Sequence, residues 1–599
     1  MSILQALNSY YDRMAARGEA EAPGWSREKF GWCLVIDADG QPVDVLDLHD
    51  TAGKKPAVTL RDVPAAVKRT VGIAPNTLWD KTNYVFGRTA GSGKRSAEEH
   101  AAFRVATLAL IGDSADPGLL ALRRFLEIWA PERFDALPFR LDMLDGNFLF
   151  RLQGDGQFLH DRPASRALVE AVAGDPTEAA FCLVTGVSAS VARLHPTIKG
   201  VEGAQSSGAA LVSFNLDAFE SYGKSQGQNA PTSQAASFRY GAALNRLLDR
   251  GSTNRTRIGD ATVTFWADTS KGEVAASAAE GMFSRFFTPP PLEDADEAAK
   301  LRAALEAVAK GRPMREVNPD LEDGTRFHIL GLSPNAARLS IRFWLSDDFS
   351  VFAQRLAAHF ADLEIAPSPW RGNPPAINQL LVKTTALMEK FENIPPQLAG
   401  EVTRAVLEGR AYPQSWLAAA VIRLRAGDDP LTGWHAAAIK AVLCRAERLS
   451  RRDPSTPEKG ETPVSLDREH PSTAYQLGRL FAVLETAQRM ALGKVNASIR
   501  DRYFGAASAT PAGVFPLLLR GVQNHLGKLR KNGTGGWIER EIEDILDVVG
   551  VDLPRALPLA EQGRFAIGYY HQRKTQFAGR PDIAAELADD ATNKDGEDL

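Results

Sequence analysis

Cysteine is scarce, long apolar runs are missing, and positive charge is not in excess. Only Cys33, Cys182 and Cys444 occur in 599 residues. They are odd in number and widely separated, so neither a disulfide framework nor a CxxC zinc site can be built from them. A reducing cytoplasm is the expected compartment. No uncharged apolar stretch approaches the roughly 20 residues that cross a bilayer. Met1 to Met14 mixes Gln5, Asn8, Asp12 and Arg13 among apolar residues, so neither an export signal nor a membrane partner is expected. The 70 Lys and Arg stand against 74 Asp and Glu, a net charge of −4, which excludes a uniformly basic nucleic-acid binder and makes any basic surface local. A phosphate-binding loop is absent as well. Gly91-Ser92-Gly93-Lys94 is the only approach to one, but its outer glycine, Gly87, lies one residue too early and Arg95 stands where Ser or Thr would hold magnesium. ATP binding is rejected there, and no cofactor is expected. Gly200, Gly203 and Gly208 likewise miss the dinucleotide-binding spacing.

What is present can bury large cores. With 44% hydrophobic residues and this length, two to four domains are expected. Ile3, Leu7, Tyr10 and Met14 fall on one helical face, and Trp32 to Ile36 and Val43 to Leu48 flank an Asp39-Gly40 turn in hairpin fashion. Phe181 to Thr185, Ala209 to Asn215 and Ala261 to Ala267 are strand candidates, and Ser237 to Leu248 a helix candidate. A second hairpin turns through Ser333-Pro334-Asn335. From Phe349 the periodicity is helical, including Ala376 to Phe391, Gln397 to Leu407, Ser415 to Arg425, Thr473 to Leu492, Pro511 to Arg530 and Trp537 to Val549. The fold class is α+β: a mixed region with hairpins, then a mostly helical second half ending in a bundle. The expected divisions are an α+β domain over 1–346, a helical domain over 347–450, a proline-containing linker over 451–466, a bundle over 467–585 and an acidic disordered tail over 586–599.

Basic residues cluster in three places. Lys81, Arg88, Lys94 and Arg95 share a segment with Asn83, Tyr84 and the small run Ala90 to Gly93 and no acid. That composition suits phosphate contact as well as it suits an ordinary solvated loop. Arg246, Arg250, Arg255 and Arg257 follow Arg239, and a helix would put Arg239, Arg246 and Arg250 on one face, for RNA or simply for solvent. Arg520, Lys528, Arg530 and Lys531 lie in Pro511 to Ile538 without an acid, where they could grip a single strand or merely complement a helix dipole. The glycine-rich loop Gly200 to Gly208 carries Lys199, Gln205, Ser206 and Ser207, with Asn215 beyond it, as hydrogen-bonding groups for a groove; a buried turn is the alternative. Tyr222, Phe238 and Tyr240 could stack on bases, though their spacing places them in a core.

The opening Ile3-Leu4-Gln5-Ala6-Leu7 with Tyr10-Tyr11, the hairpin at Gly40, and above all the block from Thr185 to Leu248 resemble the type I-C CRISPR-associated large-subunit family. The block carries Arg193, His195-Pro196, Lys199-Gly200-Val201, Ser206-Ser207-Gly208, Ser213-Phe214-Asn215, Ser221-Tyr222-Gly223, Asn229-Ala230-Pro231 and Ala243-Leu244-Asn245 in order. The resemblance implies the large subunit of Cascade, bound to CRISPR RNA and backbone subunits. Such a subunit checks the protospacer-adjacent motif of target double-stranded DNA, supports the displaced strand and recruits a separate helicase-nuclease. It implies no catalysis by this chain. It also implies a small subunit made by internal translation of the C-terminal region. Met490 would cut the apolar face of the helix Thr473 to Leu492, so a start between about Leu466 and Val483 is expected. Two other readings stand beside this one. His49-Asp50 and His160-Asp161 raise a metal-dependent nuclease or phosphohydrolase, although neither pair brings the further ligands such a site needs, and no metal is expected. The other is a purely structural scaffold.

Overall fold

The computed structural model describes residues 1–576 apart from 21, 52–56, 68, 70, 71, 137, 174–178, 288–294, 371–374, 452–460 and 494. Strands mix with helices in the first part and helices dominate the second, so the fold is α+β. The chain divides into two compact units. One comprises Met1–Thr197 and Val212–Asn245; the other comprises Ile198–Leu211 and everything described from Arg246 onward.

In the first unit, the helix Ile3–Ala16 starts at a capping box in which Ser2 and Gln5 satisfy each other's backbone N–H groups. The strands Trp32–Ile36 and Pro42–Asp47 pair antiparallel around the expected turn. Asp37 Oδ1 accepts the N–H groups of Asp39 and Gln41, and Gly40 has φ +79°. A β-carbon at Gly40 would lie 2.3 Å from the Phe125 nitrogen, so the turn needs glycine for both its conformation and its packing. Trp32–Ile36 also runs parallel to Asn147–Leu152, which pairs antiparallel with Asp80–Lys81. Every residue of Trp32–Ile36 is buried. Its apolar side meets Phe86, Phe103, Leu122 and Phe125 in one core, so this sheet and the helices Ser96–Ile111 and Pro117–Ile128 fix where Lys81 and the loop after it emerge.

The second unit holds a sheet in the order Arg255–Ile258, Ala261–Ala267, Arg326–Asn335, Arg338–Asp348, Ala209–Ala210 and, last, a short strand at Ile198. The long hairpin turns at Ala336, with φ +52°, and Ser333 to Asn335 still belong to its first strand. From Ile258 to Tyr569 one continuous core joins sheet and helices. At the C-terminal end the helix Thr473–Leu492 is surrounded, with Leu477, Leu480, Phe481 and Leu484 all buried. The helix Leu559–Thr575 crosses it closely.

Three further expected elements differ. Ala376 to Phe391 is not one helix: after Ile377–Val382 the Thr384 and Thr385 hydroxyls donate to the carbonyls of Leu381 and Val382 at 2.7 and 2.6 Å. Leu387 and Met388 then adopt positive φ. Local side-chain bonding here outcompetes an apolar periodicity that looks helical. The strand read over Phe181 to Thr185 ends at Phe181, and 182–187 forms the turn of a hairpin, Ala179–Phe181 with Ser188–Ser190. Of Ala209 to Asn215 only Ala209–Ala210 is a strand. The expected linker lies mostly in 452–460, outside the described residues, as does the acidic tail. Beyond the linker Thr462 is tied down, its N–H and hydroxyl donating to the Glu447 carboxylate at 2.9 and 2.8 Å. No described helix is long and apolar enough to cross a membrane.

Candidate nucleic-acid interface

The basic segment of the first unit grows from a buried carboxylate. Asp80 is fully buried. It accepts hydrogen bonds from the N–H groups of Asn76 and Lys81, each at 2.8 Å, and from the Arg69 guanidinium. Burial pushes its carboxyl up, against the pull of Arg69 and those N–H groups. Arg69 in turn covers the Tyr84 ring at 3.9 Å. This anchor sets where Lys81 leaves the sheet. It escapes a search by charge pattern, because only folding brings Arg69, Asn76 and Asp80 together.

Past the anchor the segment separates into tied and free cations. Arg88 forms a two-pronged pair with Asp135 at 3.1 and 2.5 Å, Asn83 donates to Glu99 at 2.7 Å, and Thr89 donates to Asp145 at 2.5 Å. Lys81, Lys94 and Arg95 are exposed and make no ion pair with any described residue. Gly91, Ser92 and Gly93 before them are exposed, and Gly93 has φ +65°. Lys94 and Arg95 therefore stand at the end of a stitched loop, available to phosphate, whereas Arg88 already has a carboxylate.

In the second unit two separate stretches of sequence meet. Gly200, φ +87°, lies so close to the chain at Leu248 that a β-carbon would sit 2.4 Å from the Leu248 carbonyl oxygen. The Glu202 N–H donates to Thr262 Oγ1 at 2.9 Å, and Arg255 reaches Glu202 at 3.4 Å. The Gly200 to Gly208 loop is thus stapled against the arginine stretch. Lys199, Gln205, Ser206, Ser207, Arg246, Arg250 and Arg257 are exposed. Arg257 donates from Nε to the Gly259 carbonyl at 3.1 Å, while Arg255 is spent on Glu202. Asn215 belongs to the first unit, where it is exposed and accepts from Ser213 at 3.4 Å.

On the helix Pro511–Lys531 the cations Arg520, Lys528 and Lys531 are exposed on one face with Asn524 between them. Arg530 is paired with Glu539 at 2.5 Å. Gly513 and Gly521 on this helix have nothing within 4 Å of where a β-carbon would stand.

The aromatic residues sort differently from the spacing. Tyr240 is buried, bonded to His195 Nδ1 at 2.7 Å, and Phe238 packs on Tyr11. Tyr222, which the spacing assigns to a core, is 99% exposed. The histidine-aspartate pairs do not converge on a reactive centre. His49 Nδ1 lies 2.6 Å from Asp47 rather than addressing Asp50, and its ring meets Trp32 edge-on. His160 is buried against Phe158 and Trp25, and burial pulls its pKa down to about 4. Among the described residues no group of three or more His, Cys, Asp or Glu is placed to hold a metal ion.

Compared with known families, residues 7–577 match the model described as CRISPR-associated protein (Cas_Csd1). No curated protein matches the chain.

Proposed function

The chain belongs to the Cas_Csd1 family of CRISPR-associated proteins, and we propose that it serves as the non-catalytic large subunit of a type I-C RNA-guided surveillance complex in the cytoplasm. In this reading it docks on CRISPR RNA and the backbone subunits, inspects the protospacer-adjacent motif of target duplex, holds the displaced strand and offers a surface to a separate helicase-nuclease. One observation carries the DNA-reading part: the loop Gly200 to Gly208 packs its backbone at Gly200 against Leu248 and pairs its Glu202 carboxylate with Arg255, leaving Lys199, Gln205, Ser206 and Ser207 exposed beside Arg246 and Arg250. Cations that neutralise phosphate position a protein on a duplex, and short polar side chains on a rigid loop can address base edges. In a complex whose guide reads sequence by pairing, the protein's own reading is confined to such a short flanking motif.

The test is to replace Gln205, Ser206 and Ser207 together with alanine and measure complex binding to duplex targets with and without the flanking motif, and to a target opened beforehand. Discrimination between the two duplexes should fall while binding to the opened target persists. Equal loss on both would remove the loop from motif reading. Divalent-metal-dependent cleavage by the purified chain, abolished by substitution of His49 or His160, would replace this reading with the nuclease one.

A further inference from the structure

The loop from Glu220 to Ala230 presents one aromatic ring to solvent and spends much of its polar bonding on holding it there. Tyr222 has φ +57° and Gly223 φ +68°. The left-handed region suits glycine and is disfavoured for a residue carrying an aromatic side chain. The conformation is held from below. Asn229 Oδ1 accepts the Ser221 N–H at 3.0 Å, and Asn229 Nδ2 donates to the carbonyls of Lys224 and Gln226 at 3.1 and 3.0 Å. Gln226 N–H donates to the Glu220 carboxylate at 3.4 Å. The base of the loop is fixed where Gly227 N–H donates to the Arg193 carbonyl at 3.1 Å; a β-carbon on Gly227 would come 2.0 Å from the Ala192 carbonyl oxygen.

Nothing in the stability of the fold accounts for this arrangement. A ring 99% exposed buries no apolar surface in return for its strained backbone. A strained, pinned and fully presented side chain is instead what a contact with another molecule requires. The chemistry around the ring indicates which kind. Its chain neighbours Ser221, Gly223, Lys224 and Ser225 are all exposed and none is apolar, and the exposed apolar residues Leu194, Leu216 and Phe219 belong to the segments outside the tip, so the tip itself offers no apolar ring of the sort that seals water from an aromatic anchor at a protein interface. Arg193 and Lys224 are exposed cations at the base and tip of the loop, and neither forms an ion pair with a described residue. An exposed ring on a loop that carries one cation at its tip, another at its base and small hydroxyl residues between matches a single-stranded nucleic acid, whose bases stack on aromatic faces while its phosphates meet Lys and Arg.

We infer that Tyr222 is a stacking platform for an unpaired nucleobase, with Arg193 and Lys224 taking the adjoining phosphates. The inference rests on the nucleic-acid-binding function proposed above and adds a site to it.

The test uses the full chain and a fluorescein-labelled, mixed-sequence single-stranded DNA oligonucleotide, followed by anisotropy. Because Tyr222 touches nothing in the core, Tyr222→Ala leaves the fold intact, which circular dichroism checks. Tyr222→Ala should weaken binding about 5- to 100-fold with little change in salt dependence, while Tyr222→Trp keeps the affinity. Arg193→Ala with Lys224→Ala should lower the log–log salt slope by about 1 to 2. Wild-type affinity in Tyr222→Ala, or full affinity in Tyr222→Leu, overturns stacking while leaving the nucleic-acid reading in place. Loss of co-purifying protein subunits in Tyr222→Ala, with unchanged affinity for the oligonucleotide, reassigns the ring to a protein partner. If the wild-type chain binds no single strand at all, the broader reading fails and this inference falls with it.

Discussion

Gly478 and Gly568 lie at a helix crossing that admits no side chain. A β-carbon at Gly478 would come 2.0 Å from the Phe565 carbonyl oxygen, and one at Gly568 would come 2.1 Å from the Tyr475 carbonyl oxygen. The helices Thr473–Leu492 and Leu559–Thr575 therefore touch backbone to backbone, and this contact draws together the polar pairs around it: Tyr475 with His571 at 3.0 Å and Arg479 with Gln572 at 2.9 Å. Gly478→Ala should force the helices apart and cost about 1–3 kcal/mol or more, as overpacking does. Gly521→Ala, where a β-carbon meets open space, should stabilise by about 0.5–1 kcal/mol through helix propensity. Thermal unfolding of the two variants beside wild type decides it; equal melting temperatures would refute the crossing.

Asp362 is the second keystone. It is fully buried and accepts from Arg445 Nε and Arg448 Nη1, each at 2.6 Å, joining the helix Phe349–Leu363 to Trp434–Ser450. Asp362→Ala leaves Arg445 buried without its counter-charge and should cost about 3–5 kcal/mol. A denaturant midpoint that does not move would show the pair to be dispensable.

Acid should destabilise the fold well before its carboxylates titrate. Burial lowers His160, His195, His328, His435 and His571 to about 4 and His359 to about 3, whereas each takes its ordinary value near 6.5 once unfolded. The unfolded chain thus binds more protons between these values. The stability contributed by neutral histidine is complete above about pH 6.5 and is lost as pH falls from there towards 4. At pH 5 each such histidine costs about 2 kcal/mol relative to neutral pH. Melting curves from pH 7.5 to 5 should fall steeply, and His359→Phe should shallow the slope; a flat profile would contradict burial in the neutral form.

Free and tied cations should separate in salt titrations of the assembled complex. Lys94→Ala with Arg95→Ala should lower the log–log slope of DNA affinity against salt by up to about 2. Arg88→Ala, which removes a cation already neutralised by Asp135, should leave the slope nearly unchanged. The reverse order would assign the free pair to solvent.

An internally initiated C-terminal product should begin upstream of Met490, because Leu477, Leu480, Phe481 and Leu484 of the central helix are all buried in the bundle. Its helix Leu559–Thr575 also packs against Ile439, Leu417 and Leu443 at Gly563, so a free copy exposes that face unless another subunit covers it. Intact-mass measurement of the purified complex reads the start directly, and a product beginning at Met490 would refute this placement.

Periodicity and turn chemistry alone were enough for Ile3–Ala16, the hairpin at Gly40, Ala261–Ala267 and Thr473–Leu492, because an apolar face with a cap or a glycine turn is encoded in adjacent residues. The same local reading located the basic stretches. It could not tell Arg88, Arg255 and Arg530 from Lys94, Arg95 and Arg250, since the carboxylates that occupy the first three, Asp135, Glu202 and Glu539, lie 47, 53 and 9 residues away in sequence. Nor could it join Gly200 to Leu248 or turn Tyr222 outward, because each depends on which backbone passes beside it. Local sequence determines which segments form helix, strand or turn and where charge is concentrated; only tertiary packing decides which charges remain unspent and which ring faces water, because burial and ion pairing are set by neighbours distant in the chain.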